Sequence, residues 1–449
     1  MEPEAVTTAV GPGADPARPE APPALVLADP RIQRRNFLAL MGDYILFGIA
    51  FSILNPSALP PDFVASLGGG AVLVGLAGLV FRVTWLLPQP LFAPWVNRAT
   101  HKKHYVTLPA LPGRLIFLPV ALLMTLAGPE RPGLLIALLL GSYAALALGD
   151  GLSVLAWMDV LGSSLSNERR GWLFGSAQAV TGVIVAVLVS PLVRVILGPE
   201  GPPFPNNYAL LLAIVGVLLG LALLSFVQVR EGPSPPPKDS PTFRQYRAFL
   251  ARVLREDAGF RQYLLTRFVY DLAAIAMPFY IVFATQVLGQ PSAVALSDQI
   301  LLLTVTGIVA ALLLGRLNER RGPRSVIILA ASAATVSPLL ALSANATGIL
   351  GLHLAWIGIG LVNTAFVPGF LNWVVEYAPE GYRPIYSGLA NSFSAAALLA
   401  PLLGGVIVEA FSYGALFVVA SALGGAALLL ALRLPGLREP ATGRADHPD

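Results

Sequence analysis

REGPSPPPKDSPTFRQYRAFLARVLREDAG, Arg230 to Gly259, is the longest polar interruption between the apolar runs of this chain. About six apolar runs of roughly 20 residues lie on each side of it, and a run of that length crosses a bilayer core as a helix. Inside lipid every backbone N–H and C=O must find its partner within the segment, so the helix is the expected solution for each run. The layout predicts an all-α membrane protein with about 12 transmembrane helices in two pseudo-symmetric six-helix bundles. Spans are expected near residues 37–59, 71–95, 105–127, 133–157, 172–197 and 207–229, then 260–287, 296–315, 325–345, 348–372, 386–409 and 413–433.

Composition agrees. The 449 residues are 55% hydrophobic and 12% charged, with mean hydropathy +0.71, whereas soluble domains carry about 25% charged residues. The formal net charge of +4 is no nucleic-acid signal, because the basic residues sit in short alternate loops. Arg31, Arg34 and Arg35, then Arg98, Lys102 and Lys103, then Arg169 and Arg170 fall on one side with the central stretch, Arg316, Arg320, Arg321, Arg324, Arg383, Arg433 and Arg438. The opposite loops hold almost nothing basic except Arg131. The Lys/Arg bias of short loops marks the cytoplasmic side, so both termini are expected there, in a bacterial cytoplasmic membrane. The chain has no cysteine, which removes disulfides, thiolate metal sites and cysteine nucleophiles.

Residues 1–34 are expected to be a disordered cytoplasmic tail, 35–230 the first bundle, 231–259 a linker, 260–434 the second bundle and 435–449 a second tail. The linker opens Pro-rich, an extended tether. Phe243, Tyr246, Leu250, Val253 and Leu254 then fall at helical spacing between Arg244, Arg247, Arg252 and Arg255. That pattern describes a helix lying flat at the interface with its arginines near anionic headgroups; a solvated basic linker is the plainer alternative.

The halves repeat. Arg35-Asn36-Phe37-Leu38 opens the first span and Arg261-Gln262-Tyr263-Leu264 the seventh. Arg170 precedes Gly175 and Gln178 as Arg383 precedes Gly388 and Asn391, and Trp157 and Trp373 stand near the ends of spans four and ten. Parallel repeats of this kind build transporters with a substrate site between the halves at mid-membrane.

Gly315-Arg-Leu-Asn-Glu319-Arg320-Arg-Gly322-Pro-Arg324 resembles the loop signature of the major facilitator superfamily between spans two and three or eight and nine. The first-half counterpart, Asn97-Arg98 with Lys102 and Lys103, departs from it, having Asn in place of the acid and Thr100 in place of a Gly. The resemblance covers roughly residues 35–435. It implies a cytoplasmic latch of charge pairs, with Glu319, Arg320 and Arg324 supplying the second-half part. Ala400-Pro401-Leu-Leu-Gly404-Gly405 is similar to the bend that antiporters of the family carry in span five, but here it lies in span eleven, so antiport is not supported by it.

Ionisable residues within spans are costly and face the bundle interior, where they pair or work. Asp43, Asp150 and Asp271 are set against Arg82, Arg114 and Arg267, three acids to three bases. Arg267 and Asp271 are one turn apart and can pair locally. Arg114 and Asp150 come to similar depths in adjacent spans, and Asp43 and Arg82 lack an obvious local partner. In a functional reading, Asp43 or Asp271 binds a proton or a cationic substrate while Arg82 attracts an anionic one; in a structural reading, the pairs lock helices. Gln178 and Asn391 would hydrogen-bond a polar substrate from both halves, or serve as inter-helix contacts. Trp85, Gln89, Tyr143, Tyr270, Asn363 and Asn372 are further candidate liners, and His353 is expected at the outer interface. Gly68-Gly69-Gly70 has no following Lys-Ser/Thr to cradle phosphate, and no catalytic set or metal spacing is visible. The expectation is a monomeric secondary transporter, not an enzyme. It would move a small molecule by alternating access, without cofactor, with or without a proton or ion gradient. The alternative is a non-transporting protein of the same fold, a sensor or an assembly factor holding a pigment or partner.

Overall fold

The computed structural model describes residues 29–232, 253–379 and 382–437. The two tails and most of the expected interfacial helix of the linker lie outside the described residues; the last turn, 253–256, is helical, with Val253 buried against the second bundle.

Among the described residues, eleven helices are long and apolar enough to span a bilayer: α1 (Pro30–Ser66), α3 (Lys103–Ala127), α4 (Pro132–Ser164), α5 (Glu168–Leu197), α6 (Asn206–Val227), α7 (Ala258–Val287), α8 (Ser292–Arg321), α9 (Pro323–Thr347), α10 (Ile349–Tyr377), α11 (Ile385–Ala410) and α12 (Tyr413–Ala431). The twelfth, α2, is in two pieces, Ala71–Leu86 and Gln89–Arg98. The break falls at Leu87-Pro88, where proline lacks the N–H that would continue the ladder and its ring crowds the preceding turn. No strand occurs among the described residues. Start signals are chemical. The Asp29 carboxylate accepts from the Arg31 N–H at 2.8 Å with Pro30 in the first turn, and the Asp257 carboxylate accepts from the Phe260 N–H at 2.8 Å, each satisfying donors that a helix leaves unpaired at its start.

α1–α6 form one bundle and α7–α12 the other. The end carrying the termini and linker is called here the terminal end, and the other the far end. At the terminal end of the first bundle the Asn36 side chain accepts from the Arg230 N–H at 2.8 Å and donates to the Arg230 carbonyl at 2.9 Å, pinning the start of α1 to the exit of α6. In the second bundle Gln262 Nε2 donates to the Leu430 carbonyl at 2.9 Å, pinning α7 to α12. The repeated amide of the two opening motifs thus does the same work in each half. The outer surface is apolar, with Leu126 72% exposed, which is normal where acyl chains rather than water cover it.

The bundles meet across two symmetry-related seams, α2 with α11 and α5 with α8. Every hydrogen bond and ion pair between them among the described residues lies at the far end. The Val72 N–H donates to Glu409 Oε1 at 2.9 Å, Ser190 Oγ to the Ser297 carbonyl at 2.9 Å, and Ser292 Oγ to Asp62 Oδ1 at 3.1 Å. Arg194 Nη1 stands 3.8 Å from Asp298 Oδ1. On the α2–α11 seam the backbones nearly touch: a Cβ on Gly75 would lie 2.3 Å from the Pro401 carbonyl oxygen, and one on Gly405 would lie 2.5 Å from that of Ala71. The far end is closed, and no hydrogen bond or ion pair found among the described residues joins the terminal ends of the bundles.

Candidate functional site

Between the bundles lies a cavity of three lobes that meet at Arg82 and Met277, with volumes of about 480, 360 and 230 Å³. α2 brings Phe81, Arg82, Trp85 and Gln89 to it just before and after its proline break. α7 brings Arg267 and Asp271. α10 supplies Asn363 and Phe366, and α11 supplies Asn391. Helix irregularities cluster here: α7 has a 3₁₀ turn at Ala273–Ala276 and α10 a π-helical segment at Phe366–Leu371, features often found where a helix serves a site.

Arg267 Nε donates to Asp271 Oδ2 at 2.6 Å, the pairing that their i,i+4 spacing predicts. The Arg267 guanidinium also sits 4.6 Å from the ring centre of Phe366 and 4.9 Å from that of Phe370, so two aromatic faces share its charge. Arg82 is exposed to the cavity and makes no hydrogen bond or contact ion pair among the described residues. Gln89 donates back to the Trp85 carbonyl at 3.0 Å, closing the broken turn of α2. Tyr270, also on the wall, donates to the Val362 carbonyl at 3.1 Å.

Asp43 and Asp150 lie elsewhere, inside the first bundle, at 3% and 7% exposure. Arg114 joins them, with Nη1 3.0 Å from Asp43 Oδ1 and Nε 3.1 Å from Asp150 Oδ1. Trp157 Nε1 donates to Asp43 Oδ2 at 2.9 Å. The Arg114–Asp150 pairing fits the depth argument. Asp43, which on sequence alone has no obvious partner, turns out to be held by a guanidinium two spans away. Neither carboxylate lines the cavity. The six charges singled out in the sequence therefore balance overall but not locally: the buried triad carries two acids for one base, and the cavity two bases for one acid.

Gln178 is exposed on α5, where Tyr44 donates to its Oε1 at 3.4 Å; it is not among the cavity-lining side chains, while its counterpart Asn391 is. Tyr143 is buried in the first bundle, with its hydroxyl on the Leu54 carbonyl, and Asn372 does not line the cavity. His353 is at the far end, its Nε2 3.1 Å from Asp298 Oδ2. Two features escape the reading of the sequence. Gln299 on α8 borders the second lobe, 3% exposed, with its Oε1 unpartnered. Asp62, 1% exposed, accepts from Tyr208 Oη at 2.7 Å as well as from Ser292 across the seam. A single amide or acid in an apolar run gives no sign of which neighbour it faces.

The loop residues named by resemblance stay within their own bundles. Lys102 pairs with Asp159 of α4, and the Lys103 N–H donates to Glu231 Oε2 at 3.0 Å. Arg324 Nη2 donates to the Leu432 carbonyl at 2.7 Å. Glu319, Arg320 and Arg98 are exposed and make no ion pair among the described residues; the Asn97 side chain lies outside them. Gly322, with φ 77°, turns the chain from α8 into α9 in a region glycine enters without strain. Gly315 makes no close approach to a neighbour. Among the described residues, no ion pair of these loops joins the two bundles. Among the described residues no group of three or more His, Cys, Asp or Glu is placed to hold a metal.

The family model described as Major Facilitator Superfamily matches residues 40–394 and 263–447. Multidrug resistance protein MdtG of Enterobacter lignolyticus is 24% identical over 400 residues, 86% of this chain and 88% of that protein. Multidrug efflux pump LfrA of Mycolicibacterium smegmatis is 28% identical over 196 residues, 40% of this chain and 38% of that one. Among solved structures, a D-xylose-proton symporter superposes with TM-score 0.68 at 15% identity, covering 90% of this chain and 98% of that one. The nucleoside transporter NupG superposes with TM-score 0.60 at 12% identity, covering 89% and 97%. Twelve helices among the described residues, in two repeated bundles around a cavity that holds Arg82, Arg267 and Asp271, together with the family match over most of its length, place this chain: it belongs to the Major Facilitator Superfamily, a family of multi-pass membrane transporters, and is not an enzyme.

Proposed function

We propose that the protein is a secondary transporter that carries a small solute by alternating access, as a monomer in a bacterial cytoplasmic membrane with both termini cytoplasmic. The observation that carries this reading is that the inter-bundle bonds found among the described residues all stand at the far end of the cavity. Such an arrangement opens to one side and needs only a rocking of the bundles to open to the other. With the Lys/Arg-rich loops inside, the conformation is the inward-open one. The multidrug relatives make an organic solute moving outward the first case to examine.

Proton coupling belongs to the same proposal. Asp271 lies in the cavity, where a change of opening alters its access to water, and Asp43 lies inside the first bundle. The test is flux into proteoliposomes across a broad solute library, with and without a pH gradient. Accumulation driven by the gradient, and lost in Asp271→Asn or Asp43→Asn while exchange persists, supports coupling at that residue. Absence of flux for every solute favours the non-transporting alternative of a sensor or assembly factor.

A further inference from the structure

We infer that the central cavity takes a small organic acid, its anionic group seated on Arg82, with an apolar body in the larger lobe and a hydrogen-bond donor reaching Gln299. The inference deepens the transporter reading and rests on it only for the location of the site.

The charge inventory is the first support. Arg267 is satisfied by Asp271 at 2.6 Å and by two aromatic faces. Asp271 is in turn occupied, so a cationic solute would have to displace Arg267 to reach it. Arg82 makes no hydrogen bond or contact ion pair among the described residues, feels Asp271 only from beyond contact distance, and opens onto all three lobes. A guanidinium within a membrane-embedded bundle is costly without an anion or ample water; its charged neighbour Asp271 is in contact with Arg267 instead, and Asp43 and Asp150 are held by Arg114 inside the first bundle. The missing counter-charge is one that a ligand can bring, and a guanidinium fork fits a carboxylate, sulfonate or phosphate in bidentate fashion.

The walls describe the rest of the molecule. The lobe of about 480 Å³ is mostly apolar around Arg82, with Phe81, Trp85 and Met277 on its walls, which suits a hydrocarbon or aromatic body. The lobe of about 360 Å³ carries Asn55, Ser57, Asn363 and Gln299. The buried, unpartnered Gln299 Oε1 is an acceptor awaiting a donor, because an orphaned buried oxygen forfeits hydration without return. A hydroxyl or amide N–H on the solute would supply it.

Acidic headgroups with apolar bodies occur both on soluble acids and on anionic lipids; the proposal is the soluble acid. The experiment is the thermal unfolding midpoint of purified protein in neutral detergent, titrated with two trios: 3-(4-hydroxyphenyl)propanoate and 6-hydroxyhexanoate, each beside its amide and its amine. A short-chain phosphatidylglycerol forms a separate arm. The expected result is at least one acid binding about tenfold or more tighter than its amide, the scale of a charge-assisted hydrogen bond, with the amine weaker than either. Arg82→Gln should erase that preference, Arg82→Lys should keep part of it, and Asp271→Asn should strengthen acid binding by removing the internal competitor. The inference is overturned if no acid outperforms its amide, if an amine binds best, if the preference survives in Arg82→Gln, or if phosphatidylglycerol alone stabilises through Arg82. Because the comparison of acid with amide uses the wild-type protein, a poorly folding variant does not blunt it. Acid binding without flux would remove the transport reading and leave this one, and flux of neutral solutes without acid preference would do the reverse.

Discussion

Replacing Gly75 by alanine should push the conformational equilibrium away from the far-end-closed state. The α2–α11 seam is held by backbone contact: a Cβ at position 75 would stand 2.3 Å from the Pro401 carbonyl oxygen, 3.0 Å from its carbon and 3.2 Å from the Leu402 Cα. These are helix backbone atoms and cannot swing aside as a side chain can, and ordinary contact begins near about 3.5 Å. The helices must therefore part by roughly 1 Å or the closed state must bear the strain. Overpacking of this kind costs about 1–3 kcal/mol. Where the opposite conformation separates these helices the cost falls on one state only, a shift of about 5- to 150-fold in their ratio. The chain has no cysteine, so spin labels placed by Glu168→Cys and Arg383→Cys, one on each bundle at the terminal end, report the distance by electron–electron double resonance without removal of native thiols. Gly75→Ala should move that distribution to shorter distances. Gly141→Ala is the control, because a Cβ there meets nothing within 4 Å, and it should leave the distribution unchanged. A folded Gly75→Ala with an unaltered or lengthened distance would refute the reasoning.

Three other perturbations follow from the same contacts. Glu409→Ala frees the Val72 N–H and should move the label distance in the same direction but less, by about 0.5–1.5 kcal/mol; a shift opposite in sign would show that this bond does not hold the far end shut. Arg114→Met strands two buried carboxylates and should lower stability by about 3–5 kcal/mol, read as a large fall in unfolding midpoint, with Asp43→Asn and Asp150→Asn added together restoring most of it. Asn36→Leu leaves the Arg230 N–H unpaired and should cost about 1–3 kcal/mol, and the same change at Gln262, which makes one bond to Leu430 rather than two to Arg230, should cost less.

Much of the fold is legible because length and polarity alone determine it. Twenty apolar residues have one low-energy backbone in lipid, and the paired amides Asn36 and Gln262 show how a repeated motif reports a repeated contact. Arg267 and Asp271 are equally plain, since an i,i+4 pair depends only on helix geometry. What the sequence withholds is rotation between helices. Asp43 meets Arg114 because α1 and α3 turn those faces together, and nothing in the apolar runs around them specifies that angle. The equality of three acids and three bases misleads for the same reason: neutrality of the whole says nothing about which charges share a chamber. Arg82 stands out only once Asp43 and Asp150 are known to be engaged elsewhere. Gln299 is less visible still, because a lone amide in an apolar run reads equally well as a contact between helices.

The central claim is a single cavity opened alternately to the two faces of the membrane. Asn391→Cys places a thiol on its wall, and membrane-impermeant maleimide applied to sealed vesicles of each orientation reads its exposure directly. Faster labelling from the linker-bearing face at rest, and a ratio of the two initial rates shifted toward the opposite face once Gly75→Ala is introduced, is the predicted result. A ratio that Gly75→Ala leaves unchanged or shifts the other way, or no labelling from either face in either background, would contradict it.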